Sequence, residues 1–333
     1  MTLTNGACRC TVMDIERPLI TYFLLSYNQE RYLRSAIDSA FAQSYTPLEI
    51  VLSDDCSSDR SYEIMCEMAD RYNGPHEIVL NRNLQNLGIG GHFNKGMQLA
   101  HGELIVAAAG DDISLPERTA VLHEAWLASN KQAFSLFSDA IFIDENDRHL
   151  KNLYGENKPA LSCSPEAAVQ RGGVGVAGCT QMFSKKTFDY FGPMDVEVMA
   201  EDMVIPFRSL LLGDVHYINS PLVLYRIHSG NISIDTANRP SIERRCREKI
   251  NHEAVLLTWL NDVRVAYRNG LLSSARTDLL KSDIIRQLQS ANLERQFYLK
   301  PFMRGLLFLL TSSFCATPVA SVFKMVERRL RSR

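Results

Sequence analysis

The chain has 333 residues, 46% of them apolar and 22% charged, enough for one large domain or two modest ones around a real core. Its formal net charge of −2 provides no global basic field, which argues against nucleic acid as a partner. The eight cysteines form no CxxC pair and read as free thiols of a reducing compartment; with no secretory leader and no uninterrupted apolar run of about 18 residues, a cytoplasmic location is expected.

Residues 1–17 read as an N-terminal tail. Residues 19–25 are apolar throughout and rich in strand formers, the pattern of a parallel strand covered on both faces. After Ser26-Tyr27-Asn28, the spacing of Tyr32, Leu33, Ala36, Ile37, Ala40 and Phe41 predicts a helix. A second strand over 49–53 ends in Asp54-Asp55, and a helix follows to about residue 72. A third strand fits 77–80; a glycine-rich loop (Gly88, Gly90, Gly91) then precedes a short helix ending near Gly102. A fourth strand over 103–109 runs into Gly110-Asp111-Asp112, Pro116 fits the first turn of the next helix, and 133–144 reads as a further strand.

Residues 150–175, with Pro159, Pro165 and glycines at 172, 173 and 175, read as a mobile loop. A strand-like piece spans 180–184. Ala200-Glu201-Asp202 opens a helix that Gly213 ends, and a strand over 216–225 leads to Arg226-Ile227-His228. Residues 241–298 are helical in pattern. The last stretch sets apolar clusters (302–310, 319–326) beside Arg328, Arg329, Arg331 and Arg333, a combination suited to an anionic membrane surface, to packing on the domain or to binding a partner.

Strand and helix alternate, which predicts an α/β fold with a largely parallel sheet. Ligands of such sheets bind beyond the carboxyl ends of the strands. Three polar clusters fall there: Ser26–Asn28, Asp54-Asp55 and Asp111-Asp112. Each has a plain alternative. Asp111-Asp112 suits a turn or a helix cap, Asp55 or Ser58 suits a cap, and Glu201-Asp202 suits the positive end of a helix dipole. The chemical reading is more specific. Paired carboxylates at a strand end can hold Mg²⁺ or Mn²⁺ against a diphosphate. A carboxylate after the second strand can accept from a base and ribose. An acid opening a later helix can take a proton from an attacking hydroxyl.

Taken in order, these stretches resemble family 2 glycosyltransferases of the GT-A fold, the kind that build bacterial surface polysaccharides such as O-antigen, capsule or exopolysaccharide. The resemblance runs over about residues 18–235, through Leu24–Leu33, Glu49–Asp59, Asn86-Leu87-Gly88, Asn94-Lys95-Gly96, Ala100–Ile105, Asp111-Asp112, Glu201-Asp202 and Tyr225–His228. It implies a Rossmann-like, mostly parallel central sheet flanked by helices, with residues 236–333 as a C-terminal helical extension. It also implies inverting sugar transfer from a nucleotide sugar, a UDP-sugar by preference, to a glycan or lipid-linked glycan, with Mn²⁺ or Mg²⁺ as cofactor.

By the same resemblance Ser26, Tyr27, Glu30, Asp54, Asp55, Asn86, Gly88, Lys95 and Asp111 would bind the nucleotide, Asp54 being preferred over Asp55 for the base. Asp111 and Asp112 would hold the metal, Asp202 would be the catalytic base, and Glu201, Arg226 and His228 would contact the diphosphate or acceptor. The chain departs from the family's Asp-x-Asp pattern by carrying Ala109 at its first position, and it has Cys56 where glycine is common.

Other classes fit less well. Gly88-Ile89-Gly90-Gly91-His92-Phe93 puts Phe at the third glycine of a dinucleotide fingerprint and follows the third strand rather than the first. A nucleotidyltransferase would want a basic, glycine-rich loop where Ser26-Tyr27-Asn28-Gln29 stands. A catalytically silent binding protein of the same fold would be expected to have lost more carboxylates than the one at Ala109.

Overall fold

The computed structural model describes residues 17–155, 164–228, 230–231 and 242–299. Its centre is strand β1 (Ile20–Ser26), which pairs in parallel with β2 (Leu48–Asp54) on one side and β4 (Leu104–Ala109) on the other. β3 (Glu77–Arg82) completes a parallel quartet beyond β2. The side chains of β1 alternate between two cores. Tyr22 and Leu24 face a layer with Leu33 and Ile37, whereas Phe23 faces one with Phe93 and Phe207. Covering both faces explains why the strand is apolar along most of its length; its buried Thr21 hydroxyl donates to Glu49 Oε1 at 2.6 Å.

The α/β class stands, with parallel pairing concentrated in this quartet. Beyond β4 the sheet is mixed. β8 (Gln181–Ser184) runs antiparallel between β4 and β6 (Ala133–Ile143). β6 then pairs in parallel with β9 (Asp214–Arg226), while the short β5 (Ile113–Ser114) closes that side antiparallel to β9. β7 (His149–Asn152) is a hairpin partner of β6. The chain enters β8 from the same rim at which β4 ends, so β8 runs away from the carboxylates rather than toward them.

One face carries α1 (Leu33–Phe41), α2 (Ser61–Asp70) and α4 (Arg118–Ala128). Pro116 lies just before the α4 N-cap, Glu117, rather than inside its first turn. The other face carries α3 (Gly88–Leu99), α6 (Lys186–Phe191), α7 (Glu201–Leu212), α8 (Ile242–Arg268) and α9 (Ser274–Leu299). Trp259 and Val263 of α8 and Ile284 of α9 share one hydrophobic cluster with Phe23 and Phe207. The C-terminal helices are thus packed on the sheet layer; the expected boundary near residue 235 lies outside the described residues.

Two expectations change. Gly88, Gly90 and Gly91 do not form a loop but the first turn of α3. Glycine weakens a helix, by about 1 kcal/mol relative to alanine, yet here it permits contact. A Cβ on Gly90 would stand 2.6 Å from the Asp195 carbonyl oxygen and 2.9 Å from that of Val198. The Gly90 N–H donates to the same Val198 oxygen at 2.8 Å. The loop expected over 150–175 contains β7 and a capped helix, α5 (Pro165–Arg171). Ser164 accepts from the Ala167 N–H, Pro165 opens the helix and Gly172, at φ 76°, ends it. Residues 156–163 of that stretch, and the apolar and basic segment after 299, lie outside the described residues. Among the described residues no helix is long and apolar enough to cross a membrane.

Gly90→Ala is expected to lower stability by about 1–3 kcal/mol, read from the urea midpoint at unchanged m-value, because the new methyl meets backbone that cannot rotate away.

Candidate active site

The carboxyl rim of the parallel quartet is built from adjacent strand ends. Ser26 and Asp54 are register partners at the ends of β1 and β2, and Gly110, just past β4, donates its N–H to the Leu25 carbonyl at 2.9 Å. Gly110 has no room for a side chain, since a Cβ would lie 2.4 Å from Gln29 Oε1 and 3.1 Å from Ser26 Cβ. Ser26 Oγ, Gln29 Oε1 and Asp54 Oδ1 are buried here without a hydrogen-bond partner. The other Asp54 oxygen accepts from the Ser57 N–H at 2.9 Å and lies 3.6 Å from Arg82 Nε. Buried acceptors left open in this way normally find a ligand or ordered water.

Asp55 is differently employed. Its carboxylate accepts from Asn83 Nδ2 (2.7 Å), the Leu87 N–H (2.9 Å) and the Gly88 N–H (3.0 Å), so it moors the loop that enters α3. Behind it, Asn81 Nδ2 donates to Asn83 Oδ1 and to Ser53 Oγ, and Ser53 Oγ lies 2.6 Å from His92 Nε2. Burial holds the His92 imidazole below its ordinary pKa, hence neutral, although Asp55 and Asp54 pull the other way. Of the remaining expected nucleotide contacts, Tyr27 stands exposed at the rim. Glu30 accepts from the Arg60 N–H, and Asn86 Oδ1 caps the Gly88 N–H. Lys95 lies on α3 about 10 Å along the axis from Gly88, half-buried and without an ion pair among the described residues.

Asp111 and Asp112 follow at the same rim, both buried. The His228 ring accepts from the Gly230 N–H at Nδ1 (3.1 Å), so its neutral form carries hydrogen on Nε2 and donates to Asp111 Oδ2 at 3.0 Å. Arg226 ties both acids down. Its Nε donates to the Asp111 carbonyl (2.8 Å) and its backbone N–H to Asp112 Oδ1 (2.9 Å). Its guanidinium also reaches the Asp144 carbonyl and Asp147, and lies 4.6 Å from the Tyr32 ring centre. Asp112 Oδ2 is left buried without a partner. Burial, then the neighbouring Asp111 charge, push the Asp112 carboxyl well above its usual range. Behind it the fully buried Arg118 donates to the Ala107 and Gln181 carbonyls and to Ser114 Oγ, adding a fixed positive charge beneath the rim.

A single 3-10 turn, Gly178–Thr180, joins this acidic pair to the later one. The Cys179 thiol lies against Asp112, while the Gly178 N–H donates to Asp202. A side chain on Gly178 would strike Glu201, whose Oε1 lies 2.1 Å from the place of its Cβ. Burial lifts Asp202 to about 6 and, with the Asp202 charge added, lifts Glu201 to about 8. Near neutral pH the two acids thus carry about one charge between them.

The rim therefore gathers Ser26, Asp54, Asp111, Asp112, Asp202 and His228 through a chain of direct neighbours. Glu30 and Asp55 bind the protein's own N–H groups, and the Arg226 donors described above go to protein oxygens. Gln29, Arg118, Gly178 and Cys179 were not singled out from the sequence; only Gln29 lies in a stretch that drew notice there.

The family model for "Glycosyl transferase family 2" matches residues 23–192, half of the chain. The chain belongs to this family. It is a glycosyltransferase. An uncharacterized glycosyltransferase of Nostoc sp. is 25% identical over 270 residues, covering 79% of this chain and 80% of the relative. Among solved structures, S. aureus TarS 1-349 in complex with UDP-GlcNAc superposes with a TM-score of 0.56 at 17% identity, over 85% of this chain and 76% of that one. The mannosyltransferase PcManGT from Pyrobaculum calidifontis, in complex with GDP-Man and Mn2+, gives 0.51 at 15% identity, over 94% and 81%. These structures establish the shared fold of this glycosyltransferase.

Among the described residues no cluster of three or more His, Cys, Asp or Glu side chains is poised to enclose a metal. The open Asp112 Oδ2, beside the Asp111 carboxylate, still fits a hard cation whose other ligands come from outside the protein.

Glu201 is protonated more readily in the folded than in the unfolded chain. Its contribution to stability is therefore full below about pH 4.5 and is lost as pH rises through about 8. Glu201→Gln removes this loss, so its melting temperature is expected to gain on that of the wild type between about pH 5 and about pH 8.5, as followed by calorimetry.

Proposed function

We propose that this glycosyltransferase moves a sugar from a nucleoside diphosphate sugar, a UDP-sugar by preference, to a hydroxyl of a glycan or lipid-linked glycan, with inversion at the anomeric carbon. Its setting is the assembly of bacterial surface polysaccharide at the inner face of the cytoplasmic membrane, with the apolar and basic C-terminal stretch supplying contact with the membrane surface. The observation that carries the transfer reading is the rim itself. Open buried acceptors at Ser26, Gln29, Asp54 and Asp112 lie one short turn away from an acid pair raised toward neutrality. The complexes of TarS with UDP-GlcNAc and of PcManGT with GDP-Man and Mn2+ support a nucleotide-sugar donor on this fold.

In this reading the base and ribose meet Ser26 and the open oxygen of Asp54, with Tyr27 at the lip and Asn86, Gly88 and Lys95 toward the ribose and diphosphate. Asp111 and Asp112 hold a divalent cation, Mn²⁺ or Mg²⁺, which when bound offsets the negative charge of the leaving diphosphate. His228 keeps Asp111 oriented through its Nε2–H. Arg226 keeps the two acids at a set spacing.

Asp202 takes the proton of the acceptor hydroxyl as that oxygen attacks the anomeric carbon opposite the nucleotide. The bond from that carbon to the diphosphate oxygen breaks, and its electron pair leaves with the diphosphate. A carboxylate with a pKa about 6 is ionised at neutral pH and still a competent base. The Gly178 N–H faces it, and burial of the neighbouring Glu201 disfavours a second charge beside it.

Four measurements bear on this. Asp202→Asn is expected to lower kcat roughly 10²–10⁴-fold with donor affinity unchanged, and full turnover would remove the base assignment. In the wild type kcat should fall as pH drops below about 6. In a thermal-shift screen of UDP-, dTDP- and GDP-sugars with Mn²⁺, Mg²⁺ or chelator, UDP-sugars with metal should raise the melting temperature most; the anomeric configuration of the product, read by NMR, decides inversion.

A further inference from the structure

The catalytic pair sits at the start of a helix that is weak by itself. The N-cap of α7, Ala200, offers no side-chain hydrogen bond to the first turn. Pro206, inside the helix, has no N–H for the carbonyl of Asp202, so one rung of the ladder is missing at the residue that matters most. The two adjacent acids of that turn are favoured by the helix dipole, but burial opposes their charge. Something outside α7 has to hold it.

Helix α8 supplies that support from one stripe of its surface. Asn251 Oδ1 accepts from the Met199 N–H at 2.7 Å, directly ahead of the turn. Thr258 Oγ1 lies 3.4 Å from the Asp195 N–H. Trp259 Nε1 donates to the Met203 carbonyl at 3.1 Å, and its ring stacks on Phe207 at 4.6 Å. Asp262 accepts from Arg208 Nε at 2.8 Å and from Nη2 at 3.2 Å, with both side chains fully buried. Positions 251, 258, 259 and 262 recur at helical spacing, so the contacts are made together or not at all.

A buried ion pair adds little net stability, but breaking one is costly, and such pairs are best attested as devices that specify register. Here the pair pins α8 against α7 along the axis. Arg208 extends the restraint by donating to the Gly192 carbonyl at 2.8 Å. A slip of one residue would break the Arg208–Asp262, Trp259–Met203 and Asn251–Met199 contacts at once. The family match ends at residue 192, so both the acid pair and its support lie beyond it.

We propose that α8 is the brace that sets the position of the α7 first turn, and that Asn251, Trp259 and Asp262 are positioning residues for sugar transfer; this rests on Asp202 being the base. Asn251→Ala, Trp259→Phe and Asp262→Asn test it, with Asp202→Asn measured alongside. Trp259→Phe keeps a ring on Phe207 and Asn251→Ala removes one half-buried contact, so both should fold even if Asp262→Asn does not.

The expected result is a folded protein in both, with a melting temperature close to wild type for Asn251→Ala and lower for Trp259→Phe, which leaves a cavity, and in both kcat down about 10–100-fold with donor KM within about twofold of wild type. Hydrogen exchange should quicken in peptides spanning 198–206 and stay unchanged over 20–55. Folded Asn251→Ala and Trp259→Phe proteins with wild-type kcat and wild-type exchange over 198–206 would overturn the brace. Full turnover by Asp202→Asn would overturn the base assignment instead, and the exchange rates would then decide by themselves whether α8 holds α7.

Discussion

An ionised carboxylate held away from bulk water needs hydrogen-bond donors or a cation close by. The rim of this sheet brings together six carboxyl groups, Asp54, Asp55, Asp111, Asp112, Glu201 and Asp202, of which burial pushes Asp112, Glu201 and Asp202 toward the neutral acid. The protein answers this demand unevenly, and the unevenness is the most informative feature of the site. Asp55 has three N–H donors and serves as a mooring for the entry to α3. Asp54 and Asp112 each keep one buried oxygen open, and the Glu201–Asp202 pair is held near neutrality by burial. What is satisfied supports the architecture, and what is left open is where the proposed chemistry lies.

The supports reach the rim from distant parts of the chain. Arg226, at the end of β9, spans the backbone of Asp111 and the side chain of Asp112 while resting against Tyr32 from the start of α1. The turn at Gly178–Thr180 touches one acid pair with Cys179 and the other with Gly178. Helix α8 closes the set from behind α7. Each of these contacts pairs residues far apart in sequence, so the geometry of the acids is a property of the completed fold rather than of any one motif.

That division explains what could be read in advance. The three inner strands of the parallel quartet, β1, β2 and β4, are legible because burial on both faces imposes apolar runs such as 19–25, and their ends are legible because polar residues follow at once. Asp54 and Asp111-Asp112 stood out for that reason, and Glu201-Asp202 because acids open a helix. Residues 88–91 misled, since glycine usually signals a loop and only the carbonyls at 195 and 198, over a hundred residues away, show why it serves a helix here. The capped helix α5 was hidden by its own punctuation, the Pro165 and Gly172 that bound it. Gly178 carries no local signal at all, because its role is set by the Glu201 side chain that occupies its missing Cβ. The occupation of Asp55 by the Leu87 and Gly88 N–H groups was equally invisible, because donors supplied by backbone leave no trace in residue identity.

The close approach at Gly90 also bears on how this scaffold can diversify. Helix α3, which borders the proposed nucleotide end, and the 195–198 segment, which leads into the acid-bearing helix, touch backbone to backbone there. With no side chain between them to grow or shrink, neither wall can be retuned by substitution at that seam without displacing the other. New acceptor preferences would have to arise away from that seam, leaving the separation between α3 and the start of α7 a fixed dimension of the scaffold.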